Sequence, residues 1–298
     1  MRGKKGFGWL HVVPVLLLVG VLILLVGYAQ AHPPALFDTA GPIAEKERNL
    51  IYFALGLSLI VVLPVFGMLF AFAWKYREGN DKAKYSPELG GSKRAETIWW
   101  AIPGVLILIL SIVTWNSSHD LDPYKKLVSS KQPLTVQVVS LDWKWLFIYP
   151  EQGVATVNDL TIPVGVPINF QLTSDAPMNS FWIPRLGGQV YTMPGMMTEL
   201  HLMADKTGTY RGVSANISGK GFADMKFDTQ AVSEADFADW VRAPGATTHT
   251  LDAAAYNELA KPTTKVYMDF YNSVESGMFD SIMHKYMSPD EMHMEMAQ

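Results

Sequence analysis

The loop from Ser214 to Met225 carries short polar side chains, which could belong to a site or could be ordinary turn residues. Ser214, Asn216 and Ser218 alternate along it, and Phe222 and Met225 follow. Serine and asparagine are common turn residues that bond to nearby backbone, and they lack the thiolate and imidazole groups that soft metal ions prefer. The chain contains no cysteine, so it forms neither a disulfide nor a thiolate metal site.

Glu96 is a second candidate, because it lies directly before an uncharged apolar run, in the string Lys-Arg-Ala-Glu-Thr at residues 93–97. A carboxyl at a membrane surface can collect protons and pass them to a buried relay. It can also act only on the positive end of a helix dipole, as acidic residues in first turns do. Both interpretations stay open at this point.

Histidine and methionine side chains in the C-terminal tail could bind Cu(I), which thioether and imidazole ligands suit. A solvated extension is the more common interpretation of such a tail. His119 and His201 have no second-ligand spacing that would predict a metal site. The tail residues concerned are His284, Met287, Met292, His293, Met294 and Met296.

The composition indicates a membrane protein. Of the 298 residues, 49% are hydrophobic and only 17% are charged, which is a small charged fraction for a purely soluble chain. The net charge of −4 excludes the basic face that a nucleic-acid binder uses against phosphate. We therefore expect a partner in the lipid bilayer and no nucleic acid.

Two uncharged runs, residues 51–74 and 97–118, predict transmembrane helices. Each is long enough, at 1.5 Å per residue, to cross the hydrocarbon core. Pro64 and Pro103 lie inside them, and such prolines persist where neighbouring helices satisfy the freed carbonyls. The pattern predicts a two-helix anchor, residues 51–118, that packs against a larger membrane partner.

The connecting loop, residues 75–97, fixes the predicted orientation. Its basic residues lie close to both membrane ends, so the loop is expected in the cytoplasm and everything beyond residue 118 outside. These residues are Lys75, Arg77, Lys82, Lys84, Lys93 and Arg94.

The N-terminus supports the same orientation. Residues 1–31 have the basic, apolar, small-residue order of a signal peptide, with cleavage expected after Ala31. A retained transmembrane helix is the competing interpretation, since the apolar run is long for a signal. Residues 32–50 would then form a short exported segment.

Short alternating runs after residue 130 predict β structure. They include residues 134–141, 160–163, 168–172, 198–202, 210–213 and 225–227, with turn residues between them. We expect a small Greek-key sandwich at residues 130–232. Residues 233–298 form a C-terminal extension, with helices predicted from Ser233 and through Leu251 to Ala260, then an aromatic stretch and a flexible tail.

Two further strings resemble motifs of the haem-copper oxidase subunit II family. Residues 142–153 resemble its aromatic motif, and residues 179–184 resemble the strand that carries its first copper-binding histidine. Residues 73–76 and 84–87 are similar to strings of the cytochrome bo-type, ubiquinol-oxidising branch. The resemblance implies a membrane-anchored all-β fold: two transmembrane helices, a cupredoxin-like Greek-key β-sandwich and a short helical C-terminal extension.

Copper-bearing members of the family hold a binuclear centre with that histidine and a loop of the form Cys-x-Glu-x-Cys-x-x-x-His-x-x-Met. In this chain the first histidine is asparagine, both cysteines are serine, the glutamate is asparagine and the loop histidine is phenylalanine, so only the methionine is kept. The resemblance therefore implies that the chain binds no copper and no other cofactor. The glutamate also helps to hold magnesium in the family, and a neutral amide is a weak replacement. The matching positions are Asn179, Ser214, Asn216, Ser218, Phe222 and Met225.

Trp143 and Trp145 correspond to an electron-accepting relay in relatives that oxidise cytochrome c. Without a copper acceptor beneath them, packing is the favoured interpretation. Residues 142–228 contain six basic and eight acidic residues, which is no strong acidic face for a basic cytochrome c.

The resemblance implies a non-redox subunit of a proton-pumping quinol:oxygen oxidoreductase in a bacterial inner membrane, with the C-terminal domain in the periplasm. Subunit I would hold the haems and one copper ion, quinol would be the substrate of the complex, and further small membrane subunits are expected. In the family, a glutamate at the position of Glu96 lies at the entrance of a proton-uptake path. The alternatives are a cytochrome c oxidase subunit with a degenerate copper site, and a membrane-anchored cupredoxin-like assembly or binding module.

Overall fold

The computed structural model describes residues 9–83, 90–242, 249–264 and 267–287. Residues 1–8 of the predicted signal, the string 84–87 and the predicted flexible tail from residue 288 onward lie outside this range. Three long helices come first in the chain: α1 (Trp9–Ala31), α2 (Pro42–Lys75) and α3 (Lys93–Asp120).

Helices α2 and α3 contain the two predicted apolar runs and extend beyond them at both ends. Pro42 stands at the first position of α2, where its missing N–H costs nothing. At the start of α3 the Ser92 hydroxyl accepts a hydrogen bond from the Ala95 N–H. Within the described residues these two helices are long and apolar enough to cross a membrane, and they anchor the chain there.

The β domain consists of two packed sheets. The strands are β1 (Leu134–Leu141), β2 (Lys144–Tyr149), β3 (Val154–Val157), β4 (Asp159–Pro163), β5 (Ile168–Ser174), β6 (Asn179–Trp182), β7 (Val190–Thr192), β8 (Thr198–Leu202), β9 (Gly208–Ser214) and β10 (Lys226–Val232). One sheet includes the neighbours β3-β2-β1-β5-β8, and the other has the order β4-β10-β9-β6-β7. β1 pairs with β5, and β4 with β10, in parallel. This is the expected cupredoxin-like sandwich.

An aromatic cluster fills the space between the sheets. Trp145 is fully buried, with its ring centroid 5.4 Å from that of Phe181 and 5.8 Å from that of Phe227. Phe181 and Phe227 stack at 5.1 Å. Such pairs contribute beyond the apolar area that they bury. Trp145 therefore packs in the core, as the packing interpretation predicts.

The C-terminal extension covers the outer face of the first sheet. It contains α4 (Glu234–Arg242), β11 (Thr250–Leu251), α5 (Ala253–Leu259), β12 (Asp269–Tyr271), β13 (Ser273–Val274) and α6 (Met278–His284). Leu146 and Ile148 of β2 pack there against Phe279 and other apolar side chains of the extension. The second predicted helix is shorter than expected, because Thr250 and Leu251 pair with β13 instead.

The segment before α2 ties the membrane anchor to the β domain. The Ala40 N–H donates to the Arg185 carbonyl at 2.8 Å, and Ala40 O accepts from the Asp205 N–H at 2.7 Å. Arg185 forms an ion pair with Asp38 at 2.8 Å. At Gly41 an added Cβ would lie 2.2 Å from the Met203 carbonyl oxygen, so only glycine permits this approach. These bonds fix where the β domain stands relative to α2.

Candidate functional site

A direct hydrogen bond links two of the positions singled out in the sequence. Asn179 opens β6 and Ser214 closes β9, and these strands are antiparallel neighbours. The Ser214 hydroxyl donates to Asn179 Oδ1 at 3.0 Å, and Asn179 Nδ2 donates to the Pro177 carbonyl at 2.8 Å. Asn179 is 1% exposed and Ser214 6%. The two neutral side chains are therefore hydrogen-bonded to each other in the protein interior.

Asn216 and Met225 are connected to the same pair. Asn216 Nδ2 donates to the Met178 carbonyl at 2.8 Å, which ties the loop after β9 to the turn before β6. The Ser214 N–H donates to the Met225 carbonyl at 3.1 Å, and the Met225 side chain lies in the core at 1% exposure. The structure thus gathers Asn179, Ser214, Asn216 and Met225 at one end of the sandwich.

Ser218 and Phe222 lie on the same loop, but no hydrogen bond joins their side chains to that group. The Ser218 hydroxyl oxygen is buried and has no partner among the described residues. Phe222 is half-buried and begins a short 3₁₀ turn, Phe222–Asp224. The loop is held here by backbone contacts instead.

Trp143 covers this loop from the side. Its backbone φ is +64°, which is uncommon for a bulky residue, and its indole N–H donates to the Ser218 carbonyl at 3.3 Å. The ring lies against Gly221, where an added Cβ would come within 2.4 Å of Trp143 Cγ. Trp143 therefore packs against the loop, and Gly221 makes room for it.

Known proteins resemble this chain along most of its length. The family models described as cytochrome c oxidase subunit II transmembrane domain and periplasmic domain match residues 29–116 and 150–232. A cytochrome bo(3) ubiquinol oxidase subunit 2 of Pseudomonas aeruginosa is 48% identical over 93% of this chain and 81% of its own. The chain belongs to the haem-copper oxidase subunit II family. Its branch is the bo-type, as the sequence strings predicted.

Two further relatives place the chain in the same branch of the family. The ubiquinol oxidase subunit 2 of Acetobacter aceti is 48% identical over 84% of this chain and 81% of its own. The quinol oxidase subunit 2 of Bacillus subtilis is 41% identical over 83% of this chain and 77% of its own. A third family model, the COX aromatic rich motif, matches residues 246–290. The aromatic stretch of the C-terminal extension lies in this range, and its residues did not by themselves indicate the family.

The side chains at the six positions do not fit the binuclear copper centre of copper-bearing relatives. Copper that exchanges single electrons needs thiolate and imidazole ligands, and these positions supply amides, hydroxyls, a phenyl ring and one thioether. Asn179 and Ser214 are, moreover, bonded to each other. In the described ranges no group of three or more His, Asp or Glu side chains could hold a metal ion.

Glu96 lies apart from this group, in the first turn of α3. Its side chain is exposed, and its N–H donates to the Ser92 carbonyl at 2.9 Å. The position suits both sequence interpretations, because the first turn of a helix favours a carboxylate and this turn stands at the end of an apolar run.

Asp175 anchors the C-terminal extension, and sequence reasoning did not single it out. It follows β5, and its carboxylate, 1% exposed, accepts from Lys285 Nζ and Tyr256 Oη, each at 2.7 Å, and from Tyr286 Oη. Burial raises the pKa of Asp175, but the bonds from Lys285, Tyr286 and Tyr256 outweigh it and hold the pKa below its ordinary value. The sequence showed only a turn aspartate, since its partners lie far along the chain.

A buried lysine adds a second polar contact between the β domain and the extension. Lys144 of β2 is 1% exposed and donates to the Lys261 carbonyl at 2.7 Å. Burial lowers the pKa of Lys144, against the attraction of Asp142. The extension is thus fixed by polar contacts at both Asp175 and Lys144.

Proposed function

We propose that this chain is the non-redox subunit II of a proton-pumping quinol:oxygen oxidoreductase of the aerobic respiratory chain. The hydrogen bond between Asn179 and Ser214 carries the proposal. In copper-bearing relatives these positions hold ligands, whereas here they hold the two strands together. The β domain keeps a structural role and carries no centre that accepts electrons.

The electron-transfer chemistry takes place in a partner subunit. Subunit I holds the haems and the single copper ion, and quinol reaches it through the membrane. The relatives named as ubiquinol and quinol oxidase subunits support this donor. Helices α2 and α3 would bind subunit I, and the β domain would cover its outer face. Further small membrane subunits complete the complex.

We place the protein in a bacterial inner membrane with the β domain in the periplasm. The basic residues Lys75, Arg77 and Lys93 stand at the opposite end of α2 and α3 from the β domain and support a cytoplasmic loop. Residues 1–31 serve as the export signal, and cleavage after Ala31 would leave residues 32–50 outside.

The purified complex tests the electron donor. We expect oxygen uptake with ubiquinol, none with reduced cytochrome c, and no copper on the isolated chain by metal analysis. Cytochrome c oxidation with two copper ions per chain would favour the degenerate cytochrome c oxidase instead. Co-purification without a haem-bearing subunit would favour the assembly or binding module.

Glu96 is proposed to collect protons for uptake into subunit I. Its exposed carboxylate in the first turn of α3, at the predicted cytoplasmic side, supports this role. We expect Glu96→Ala to slow turnover about tenfold, which is less than the roughly hundredfold or more that positioned proton transfer contributes, because water still reaches this exposed position, and Glu96→Asp to restore most of it. The measurement is quinol-driven oxygen uptake over a range of pH.

Glu78→Ala is the matched control, because Glu78 is an exposed glutamate near the other end of the same loop. It should leave turnover unchanged. If Glu96→Ala assembles normally and respires at the normal rate, Glu96 acts on the helix dipole alone.

A further inference from the structure

The first turns of α2 are packed against the turn that follows β6 in the β domain. An added Cβ at Gly187 would lie 2.9 Å from Ile43 Cγ2, and one at Gly188 would lie 2.8 Å from Glu47 Oε1. Ile43 and Glu47 are four residues apart and therefore stand on one face of the helix. The two glycines let the helix approach this turn closely. We call the contact between α2 and the Gly187–Gly188 turn the joint.

Two backbone hydrogen bonds hold the joint. The Ala44 N–H donates to the Leu186 carbonyl at 3.1 Å, which satisfies one of the N–H groups that the start of a helix leaves free. Just before the helix, the Ala40 N–H donates to the Arg185 carbonyl at 2.8 Å. Both bonds join neutral groups, so neither titrates. A change of pH can therefore act on the joint only through a side chain.

Glu47 is the titratable side chain inside the joint. It is half-buried, and burial raises the pKa of its carboxyl, while a hydrogen bond from the Gly188 backbone lowers it in part. The residue precedes the uncharged run at 51–74, so it lies outside the hydrocarbon core. With a raised pKa, the stability that the neutral carboxyl contributes is complete below the ordinary glutamate pKa of about 4.3. It is lost as the pH rises through the higher folded value.

The charged neighbours of Glu47 on α2 have other partners. Arg48 forms an ion pair with Glu45 at 3.0 Å. Lys46 is exposed and attracts Asp120 at the outer end of α3. Within the described part of α2, no cation pairs with Glu47, so a negative charge there would be offset only by the backbone of the turn.

The charged groups on the β-domain side are also engaged elsewhere. Arg185 pairs with Asp38 at 2.8 Å, and Lys206 donates to a backbone carbonyl of the segment before α2 at 3.3 Å. Asp205 is a second carboxyl near the joint. Burial and repulsion from Glu45 raise the pKa of Asp205, against the attraction of Lys206. Asp205 therefore has a cation beside it, unlike the carboxyl inside the joint.

We propose that Glu47 makes the joint sensitive to pH: the neutral carboxyl holds α2 against the β domain, and loss of its proton loosens the contact. A half-buried carboxylate with only the Gly188 N–H as a partner is better solvated when the joint opens. On the proposed function, on which the direction of this response rests, the joint faces the side to which the complex releases protons. The β domain is then held most firmly to its anchor when that side is acidic.

Amide hydrogen exchange over a range of pH tests the proposal on the full-length chain in its membrane complex. The amides to follow are those of residues 40–47 and 183–190, with protection expressed relative to the unfolded chain at the same pH. We expect this protection to fall about fivefold between pH 5 and pH 8, because the contribution of the neutral carboxyl is lost over this interval. Constant protection across the range would overturn the proposal.

Three variants separate the charge from the contact. Glu47→Gln keeps the size of the side chain and stays neutral, so protection should be independent of pH and at least equal to that of the native chain at pH 5. Glu45→Gln is the matched control, because Glu45 is an exposed glutamate two residues away, and it should keep the native response. An undiminished response in Glu47→Gln, or one abolished by Asp205→Asn instead, contradicts the assignment. If Glu47→Gln does not assemble, the pH series on the native chain still decides.

Oriented proteoliposomes distinguish a failure of the joint from a failure of the proposed topology. Acidifying only the side that carries the β domain should restore protection, because the joint lies on that side. A response that follows the pH of the opposite compartment would refute the periplasmic placement and leave the pH-sensitive joint standing. A response to neither compartment would refute the joint itself.

Discussion

The turn between β5 and β6 carries two polar anchors that work in different ways. Asp175, at its start, is a buried carboxylate held by three donors from the C-terminal extension. Asn179, at its end, is a neutral amide held by a hydroxyl from β9. Only the Asp175 anchor contains a buried charge, so only this anchor should respond strongly to neutralisation and to pH. The corner at Asn179 is held instead by hydrogen bonds between neutral groups.

Neutralising the charged anchor should have the largest effect. Asp175→Asn removes the ion pair with Lys285 and leaves at least one donor unmatched, which we expect to destabilise the protein by about 3 kcal/mol. Amide hydrogen exchange should rise in residues 250–287, because local opening of the extension follows the loss. Asp280→Asn, on the exposed side of α6, should change neither measurement. Unaltered exchange in Asp175→Asn would show that apolar packing alone holds the extension.

Acid should weaken the same anchor. Because the pKa of Asp175 is lowered in the folded protein, its contribution is complete above the ordinary aspartate pKa of about 3.9 and is lost as the pH falls through the lower folded value. The pKa of Lys285 is raised by its bond to Asp175, so its contribution is lost only above its own ordinary range. The protection of residues 250–287 from exchange, relative to the unfolded chain at the same pH, should therefore be constant near pH 7 and fall below about pH 4, and the fall should be smaller in Asp175→Asn.

A substitution in the loop beside the neutral anchor should destabilise the protein by an intermediate amount. Gly221 has an ordinary backbone φ of −95°, so Gly221→Ala tests contact alone. Its new Cβ would meet Trp143 and should cost about 2 kcal/mol through displacement of the ring, which indole fluorescence and thermal unfolding would report. Gly90→Ala, with open space around it, serves as the control. Normal stability in Gly221→Ala would mean that Trp143 can move away freely.

The neutral anchor itself should have the smallest effect. Ser214→Ala leaves the buried Asn179 Oδ1 without its donor and should cost about 1 kcal/mol. Ser218→Ala is matched to it, because that hydroxyl is also buried but has no partner among the described residues, so its removal should be neutral or slightly stabilising. Chemical unfolding at several pH values measures both. The opposite order of the two variants would contradict the assigned network.

Burial on one face or on both faces of a strand explains which strands of the first sheet could be predicted from the sequence. The run at residues 134–141 alternates and was predicted with the bounds that β1 has. β2 did not show this pattern because both of its faces are buried, one by the core and one by the extension. A strand covered on both sides loses the polar alternation that identifies it.

The sequence by itself determined the two membrane helices and the class of the β domain. These features depend on the hydropathy and the spacing of residues that are close together in the chain, so they can be recognised without the tertiary structure. Only the tertiary structure decided that the Ser214 side chain is hydrogen-bonded while that of Ser218 has no partner among the described residues, and that Asp175 joins the β domain to the extension. Partners such as Asp175 and Lys285 are distant in the chain, and folding alone determines that they meet.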